Sequence, residues 1–308
     1  MEYIHGIEDF ALGKAAAVTL GKFDGVHQGH QKLISIVKEK AQQNGILSLV
    51  FTFDRIPLSI CPQRQQHFIM TNSERRAFLD GLGVDAEIEF PFTEGLMNTE
   101  PEEFIQKILI DRLNAKYVVV GTDFHFGKGR RGDARMLLEK GPEYGFEAIV
   151  VEKEKYQDRE ISSTYVREEL SAGHMETVNV LLGRPYSVRG IVSPGNQMGR
   201  QFEIPTMNIY PPESKLLPPN GVYASVTSMD GREYYGVTNL GTKPTVSDTQ
   251  SIGLETNLFN YSGDAYGQVI EVKLMHFLRQ EMKFDSVEAL KRQMESDASF
   301  AKSMFLIE

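Results

Sequence analysis

The sequence predicts an α/β domain followed by a small all-β domain. Three observations carry this. At 308 residues the chain is long enough for two domains of ordinary size. Strand and helix signals alternate up to Gly183, as in a parallel sheet covered on both faces. Beyond Gly183 the pattern turns to short β runs separated by turn residues, as in a closed barrel or sandwich. The boundary therefore falls between a domain at 1–183 and a second at 184–308.

In the first domain, Ala15–Leu20 and Leu47–Phe53 read as buried strands. Between them, Leu33, Ile34, Val37 and Ala41 recur at helical spacing, and Gly45 supplies the left-handed cap. Thr71 with Glu74, and Thr99 with Pro101 and Glu102, have the form of capping boxes that open further helices. Tyr117–Gly121 and Phe146–Glu152 read as strands, with a helix starting near Asp133 between them. Ser163–Ala172, closed by Gly173, and Glu176–Leu182 complete the helices of this part. In the second domain the clearest strands are Tyr186–Ser193, Val222–Met229, Tyr234–Leu240 and Val269–Phe277. An amphipathic helix carrying Val287, Leu290 and Met294 follows.

Composition excludes several functions. With 33 Lys and Arg against 42 Asp and Glu, the net charge is −9, and general nucleic-acid binding lacks its excess of cations. Apolar stretches such as Ile46–Phe53 fall far short of the roughly 20 residues of a membrane helix. Ala15–Leu20 is too short for a signal-peptide core. The single cysteine, Cys61, forms no internal disulfide, and no Cys/His metal spacing is present. A cytoplasmic protein without nucleic-acid or membrane partners is expected.

Three segments of the first domain carry chemistry. Gly21-Lys-Phe-Asp-Gly-Val-His-Gln-Gly-His30 joins the first strand to the first helix, where an open α/β sheet binds ligands and helix amides favour phosphate. Gly21, Gly25 and Gly29 admit a close backbone approach, and His27 and His30 offer imidazole donors to phosphate oxygens. Next, Asp123-Phe-His-Phe-Gly-Lys-Gly-Arg-Arg131 brings Lys128, Arg130 and Arg131 within reach of a triphosphate on a mobile loop. Gly127-Lys-Gly-Arg-Arg-Gly132 also spells GxGxxG with Glu152 downstream. Asp123–Phe126 separate those glycines from the strand, however, and three cations crowd a turn that should hold pyrophosphate by backbone alone. Ile161-Ser-Ser-Thr-Tyr-Val-Arg167 sets consecutive hydroxyls and a cation at a helix start.

The second domain offers Gly190, Gly195 and Gly199 as a loop able to accommodate phosphate. Thr206 and Asn208 lie on one side of an extended segment, two hard oxygen donors suited to Mg²⁺.

His27-Gln-Gly-His30 resembles the HxGH signature of the nucleotidyltransferase superfamily, and Ile161–Arg167 is similar to its ISSTxxR element. Gly199-Arg-Gln-Phe-Glu-Ile-Pro-Thr-Met-Asn208 resembles the riboflavin kinase motif GRxLGFPTAN. Asn239–Thr245 is similar to NxGxxPT, and Phe277–Phe284 to FLRxExKF; Leu254–Leu258 looks like the segment bearing the catalytic glutamate. Together, over nearly the whole chain, they resemble the bifunctional bacterial riboflavin kinase/FAD synthetase family.

The resemblance implies a Rossmann-like nucleotidyltransferase domain with a parallel sheet and a six-stranded kinase barrel with a C-terminal helix. It implies that the second domain phosphorylates riboflavin to FMN and that the first adenylylates FMN to FAD, releasing pyrophosphate. ATP is the co-substrate, Mg²⁺ the metal, and a homo-oligomer is compatible with it. Glu255 is then the catalytic base of the kinase, and His27 and His30 act at the ATP phosphates. Ligand-binding positions carried over are Gly21, Phe23, Asp24, Gly25, Gly29, Asp123, Phe124, Gly127, Lys128, Arg130, Ser162, Ser163, Thr164 and Arg167 in the first domain. In the second they are Gly195, Gly199, Arg200, Thr206, Asn208 and Arg279, with Thr206 and Asn208 on the metal.

The chain departs from the family where relatives read TFxPHP. It has Thr52-Phe-Asp-Arg-Ile-Pro57, with Ile56 at the histidine position, and in the kinase motif Glu203 replaces a glycine. Two alternatives stay open: a riboflavin kinase with weak or absent FAD synthesis, and a non-catalytic flavin or nucleotide sensor.

Overall fold

The computed structural model describes residues 1–54, 67–194, 206–244 and 250–307. These fall into two compact units, Met1–Ser163 and Thr164–Glu308.

The first unit is built on six parallel strands: β1 (Glu2–His5), β2 (Ala16–Leu20), β3 (Leu47–Phe53), β4 (Ala86–Phe90), β5 (Ala115–Gly121) and, after the hairpin β6 (His125–Phe126) and β7 (Gly132–Asp133), β8 (Glu147–Val151). Their order across the sheet is β1-β4-β3-β2-β5-β8. From β2 the chain winds outward through β3, then returns to lay β5 against the other edge of β2. A topological switch point thus lies between β2 and β5, and the crevice beyond their carboxyl ends is where such sheets bind ligands. A small hairpin, β9 (Lys155–Tyr156) with β10 (Arg159–Glu160), follows.

Alternation along β2 explains how both faces are covered. Ala16, Val18 and Leu20 join a core with Phe104, Ile105, Leu109 and Leu137. Ala17 points the other way, onto Leu33, Val37 and Ala41 of helix α1 (Gln28–Asn44), which ends at Gly45 in the left-handed conformation as its spacing predicts. Helix α2 (Asn72–Gly81) opens with the expected capping box, Thr71 accepting from the Glu74 amide and Glu74 from the Thr71 amide. At the second expected box the structure differs. After α3 (Glu94–Met97), the Thr99 hydroxyl turns back to donate to the Gly95 carbonyl, so Glu100 becomes the N-cap of α4 (Pro101–Phe104) without a side-chain cap. Helix α4 runs on as a π-helical segment, Ile105–Arg112. Helix α5 (Ala134–Tyr144) is capped by Asp133, which accepts from the Met136 amide.

In the second unit, α6 (Ser163–Ala172) leads into α7 (Met175–Leu182), and α7 packs on two of the strands that follow. The compact units therefore divide after Ser163, the first residue of α6, whereas the sequence pattern changes only at Gly183. The strands are β11 (Tyr186–Ile191), β12 (Thr206–Ile209), β13 (Gly221–Met229), β14 (Arg232–Pro244), β15 (Gln250–Leu258) and β16 (Val269–Arg279), all antiparallel in the order β11-β16-β13-β14-β15-β12. A bridge between Ser193 and Asn208 joins the two outer edges of this sheet, a six-stranded half-barrel. Asp230 and Gly231, both with positive φ, form the two-residue turn between β13 and β14 that the strand twist favours. The C-terminal helix α8 (Val287–Phe305) is capped by Ser286.

Candidate functional sites

A cavity of about 640 Å³ opens at the switch point of the first unit, within the usual size range for small-molecule sites. Gly21, His27, Gly29 and His30 line it from the end of β2 and the start of α1; Asp123, Phe124, Gly127 and Arg130 line it from beyond β5. Ser162 and Ser163 complete the polar part of the wall.

The histidine pair is set by the helix start. His27 is the N-cap of α1, and its Nδ1 accepts from the His30 amide at 3.4 Å. That bond leaves the ring proton of a neutral His27 on Nε2. The two imidazoles stack with centroids 3.7 Å apart and planes 19° from parallel. Burial, and secondarily the neighbouring His27, hold the pKa of His30 well below 6.5, so it is neutral at pH 7. Its buried Nδ1 has no hydrogen-bond partner among the described residues. An orphaned polar atom in a cavity wall calls for an explanation, and a ligand is one. Gly29 leaves room for the pair: a Cβ would come within 3.3 Å of the His27 ring.

The remaining predicted residues divide by location. Phe23 is wholly buried, its ring 5.0 Å from that of His30. The Asp24 carboxylate accepts from the amides of Ile69 and Met70 at 2.9 and 3.4 Å, and Ser163 Oγ donates to the Asp24 carbonyl at 2.9 Å. Gly25, at φ +81, has Ile69 where a Cβ would stand. Phe23, Asp24 and Gly25 thus support the wall from behind rather than line it. Lys128 is half exposed and turned toward Glu100, 3.9 Å away, leaving Arg130 as the loop cation at the cavity. Thr164 and Arg167 belong to the second compact unit.

Two features of the cavity were missed in the sequence. One is an apolar wall of Phe53, Phe92, Leu96, Met97, Phe104 and Phe126, suited to a planar ring system. Its signal was present as phenylalanines clustered at the ends of β3, β4 and β5. The other is Lys153, which lines the cavity and pairs with Asp123 at 2.9 Å and Glu160 at 3.0 Å.

In the second unit the strand register builds the second site. Asn208 of β12 stands opposite Glu255 of β15, which stands opposite Asn239 of β14. Directly opposed residues share a face, so these three polar side chains form a row across adjacent strands. Thr206, two residues before Asn208, is on the same face, and its hydroxyl donates to Glu255 Oε1 at 2.9 Å. With its hydrogen directed at the carboxylate, the Thr206 oxygen keeps lone pairs for a cation. Among the described residues no cluster of three His, Cys, Asp or Glu could hold a metal by itself. A Mg²⁺ carried by nucleotide phosphates needs only one or two protein oxygens, which Thr206 and Asn208 can supply. Arg279, a ligand-binding position by the family resemblance, donates from Nε at 3.0 Å and from Nη2 at 2.6 Å to the buried carboxylate of Asp297 on α8. Gly195, Gly199, Arg200 and Glu203, like Arg55 and Ile56, lie outside the described residues.

Comparison with known proteins covers both units. The FAD synthetase family model matches residues 10–165 and the riboflavin kinase family model residues 182–305. The chain is 34% identical to a bifunctional riboflavin kinase/FMN adenylyltransferase of Buchnera aphidicola subsp. Schizaphis graminum, covering 99% of each chain. It is 34% identical to the one of Bacillus subtilis, covering 94% of this chain and 92% of the relative. For that of Escherichia coli K12 the identity is 32%, covering 99% and 98%. Among solved structures it matches a Streptococcus pneumoniae protein described as a macrolide-efflux protein, with a TM-score of 0.86 at 28% identity over 96% of this chain and 97% of the other. Among the described residues of this chain, no helix is long and apolar enough to cross a membrane.

Proposed function

Since the chain belongs to the bifunctional riboflavin kinase/FMN adenylyltransferase family, we infer that it makes FAD in two ATP-dependent steps. Riboflavin is phosphorylated to FMN, and FMN is adenylylated to FAD with release of pyrophosphate. We assign the first step to residues 184–308 and the second to residues 1–183, both in the cytoplasm.

In the kinase step the 5′-hydroxyl of riboflavin attacks the γ-phosphorus of ATP, and Glu255 takes the hydroxyl proton as general base. The Thr206 hydroxyl bond to Glu255 supports this role, because it fixes the carboxylate beside the residues assigned to the metal. Bound through Thr206 and Asn208, Mg²⁺ would neutralise charge on the transferring phosphoryl group.

In the adenylyl step no side chain acts as nucleophile. A phosphate oxygen of FMN attacks the α-phosphorus of ATP, the bond to the β,γ-pyrophosphate breaks, and pyrophosphate leaves. His27 and His30 stabilise the charge that grows on the phosphates. A triphosphate next to His30 opposes the burial that keeps this ring neutral, so the same ring can accept a proton as charge accumulates. The start of α1, with no acidic residue in its first turn, adds amides and the positive end of the helix dipole. The apolar wall suits the flavin ring.

The observation that carries this reading is the pairing of two separate constellations, His27 with His30 and Thr206 with Glu255, one in each matched family region. Glu255→Gln tests it. FMN formation from riboflavin should fall by about 100-fold or more, with FAD formation from supplied FMN retained. Equal loss of both steps would contradict two sites.

A further inference from the structure

Arg130 is the loop cation at the cavity, yet its backbone is unfavourable: φ is +58, a left-handed conformation that a residue with a Cβ seldom adopts. Strain of this kind persists where the surroundings impose it, and it gathers at ligand sites. Contacts on both sides of Arg130 hold the loop. Lys128 Nζ lies 3.9 Å from Glu100 Oε1, and Arg131 donates from Nη2 to Glu100 Oε2. One carboxylate therefore holds a cation on each side of Arg130. The backbone is docked at the same place: the Lys128 amide donates to the Thr99 carbonyl at 2.7 Å. Gly127, at φ +69, lies so close to Pro101 that a Cβ would come within 3.0 Å of its backbone. Arg130 itself reaches to 3.3 Å from His125 Nδ1.

We propose that Glu100 is a positioning residue for adenylyl transfer: by gripping Lys128 and Arg131 it holds Arg130 in its strained conformation facing the ATP phosphates. This rests on reading the cavity as the ATP site of the first domain. It assigns different tasks to neighbouring cations, Arg130 to the nucleotide and Lys128 and Arg131 to the anchor. It also explains a carboxylate beside a loop that meets an anion, where it would otherwise oppose binding.

The test is a double-mutant cycle on the full-length protein, with FMN as substrate and ATP varied. Glu100→Ala should raise KM for ATP about three- to tenfold, the modest size expected of half-exposed ion pairs, and kcat should change less. Glu100→Gln, which keeps the shape without the charge, should behave like Ala, and the effect should shrink in high salt. In an Arg130→Ala background, Glu100→Ala should add almost nothing, because Glu100 acts through Arg130. Far-UV circular dichroism and urea titration of the same preparations report that the first unit is folded. Additive effects, or an unchanged or lower KM in Glu100→Ala, would overturn the proposal. If Arg130→Ala alone leaves KM for ATP unchanged, the placement of ATP beside Arg130 fails, and the anchor falls with it.

Discussion

The Thr206 hydroxyl donates to Glu255 Oε1 across 2.9 Å, although the two residues are not opposite one another in the ladder. Thr206 faces Asn257, and Glu255 faces Asn208, so the bond runs diagonally between strands. It couples the residue assigned to the metal to the residue assigned to the proton. Thr206→Val, which removes the hydroxyl at nearly constant volume, should lower the rate of FMN formation by about tenfold or more, while FAD formation from FMN is unchanged. Steady-state rates of the two steps measured separately check this.

The complementary substitution is His30→Gln. The buried Nδ1 of His30 has no partner among the described residues, as the proposed role at the phosphates requires. FAD formation from FMN should fall by on the order of 100-fold, and phosphorylation of riboflavin should persist. A matching loss of first-unit stability in urea would point to a structural role for the ring.

Burial of His30 also links stability to pH. Its folded pKa is depressed below 6.5, first by burial and then by His27. Between the folded value and 6.5 the unfolded chain holds more protons, so stability rises with pH across that window and declines as pH falls through it. The first unit should therefore be less resistant to urea at pH 5 than at pH 7. His30→Gln should show a smaller difference between the two, measured by urea titration.

Gly29 separates activity from stability. A Cβ there meets the His27 ring at 3.3 Å, so Gly29→Ala must displace the imidazole by a few tenths of an ångström. Adenylylation should drop by roughly tenfold, short of the 100-fold that a misplacement of about 1 Å can cost. Alanine is the better helix former, so the melting temperature should hold or rise.

Arg279 is held by a buried carboxylate, which gives a structural role a measurable signature. With Asp297 nearly fully buried, Arg279→Ala leaves a carboxylate without its cation, at a cost of about 3 kcal/mol. The second unit should melt earlier. A direct flavin contact would instead raise KM for riboflavin at unchanged stability, and calorimetry with kinetics on one preparation separates the two.

Much of this was legible in the sequence because the informative residues are local. The Gly45 cap, the Thr71–Glu74 box and the buried run of β2 follow from spacing alone. So does the position of His27 and His30 at a strand-to-helix junction. Strand β4 was not read, because Ala-Glu-Ile-Glu-Phe alternates charge with apolar groups as an exposed strand does. In the structure Glu87 and Glu89 are buried, and Arg75 of α2 donates to them at 2.8 and 3.1 Å. No local pattern announces a partner that far along the chain. The contacts of Glu100 with Lys128 and Arg131 were hidden for the same reason, as was the bond from Arg279 to Asp297 on α8.

The most direct measurement is a time course of flavins formed from riboflavin with ATP and Mg²⁺, separated by chromatography. FMN should rise first and then decline as FAD accumulates, and omission of Mg²⁺ should halt the first step. FMN accumulating without FAD would contradict adenylyl transfer at the His27–His30 site. Unchanged riboflavin would contradict the role assigned to Glu255 and Thr206.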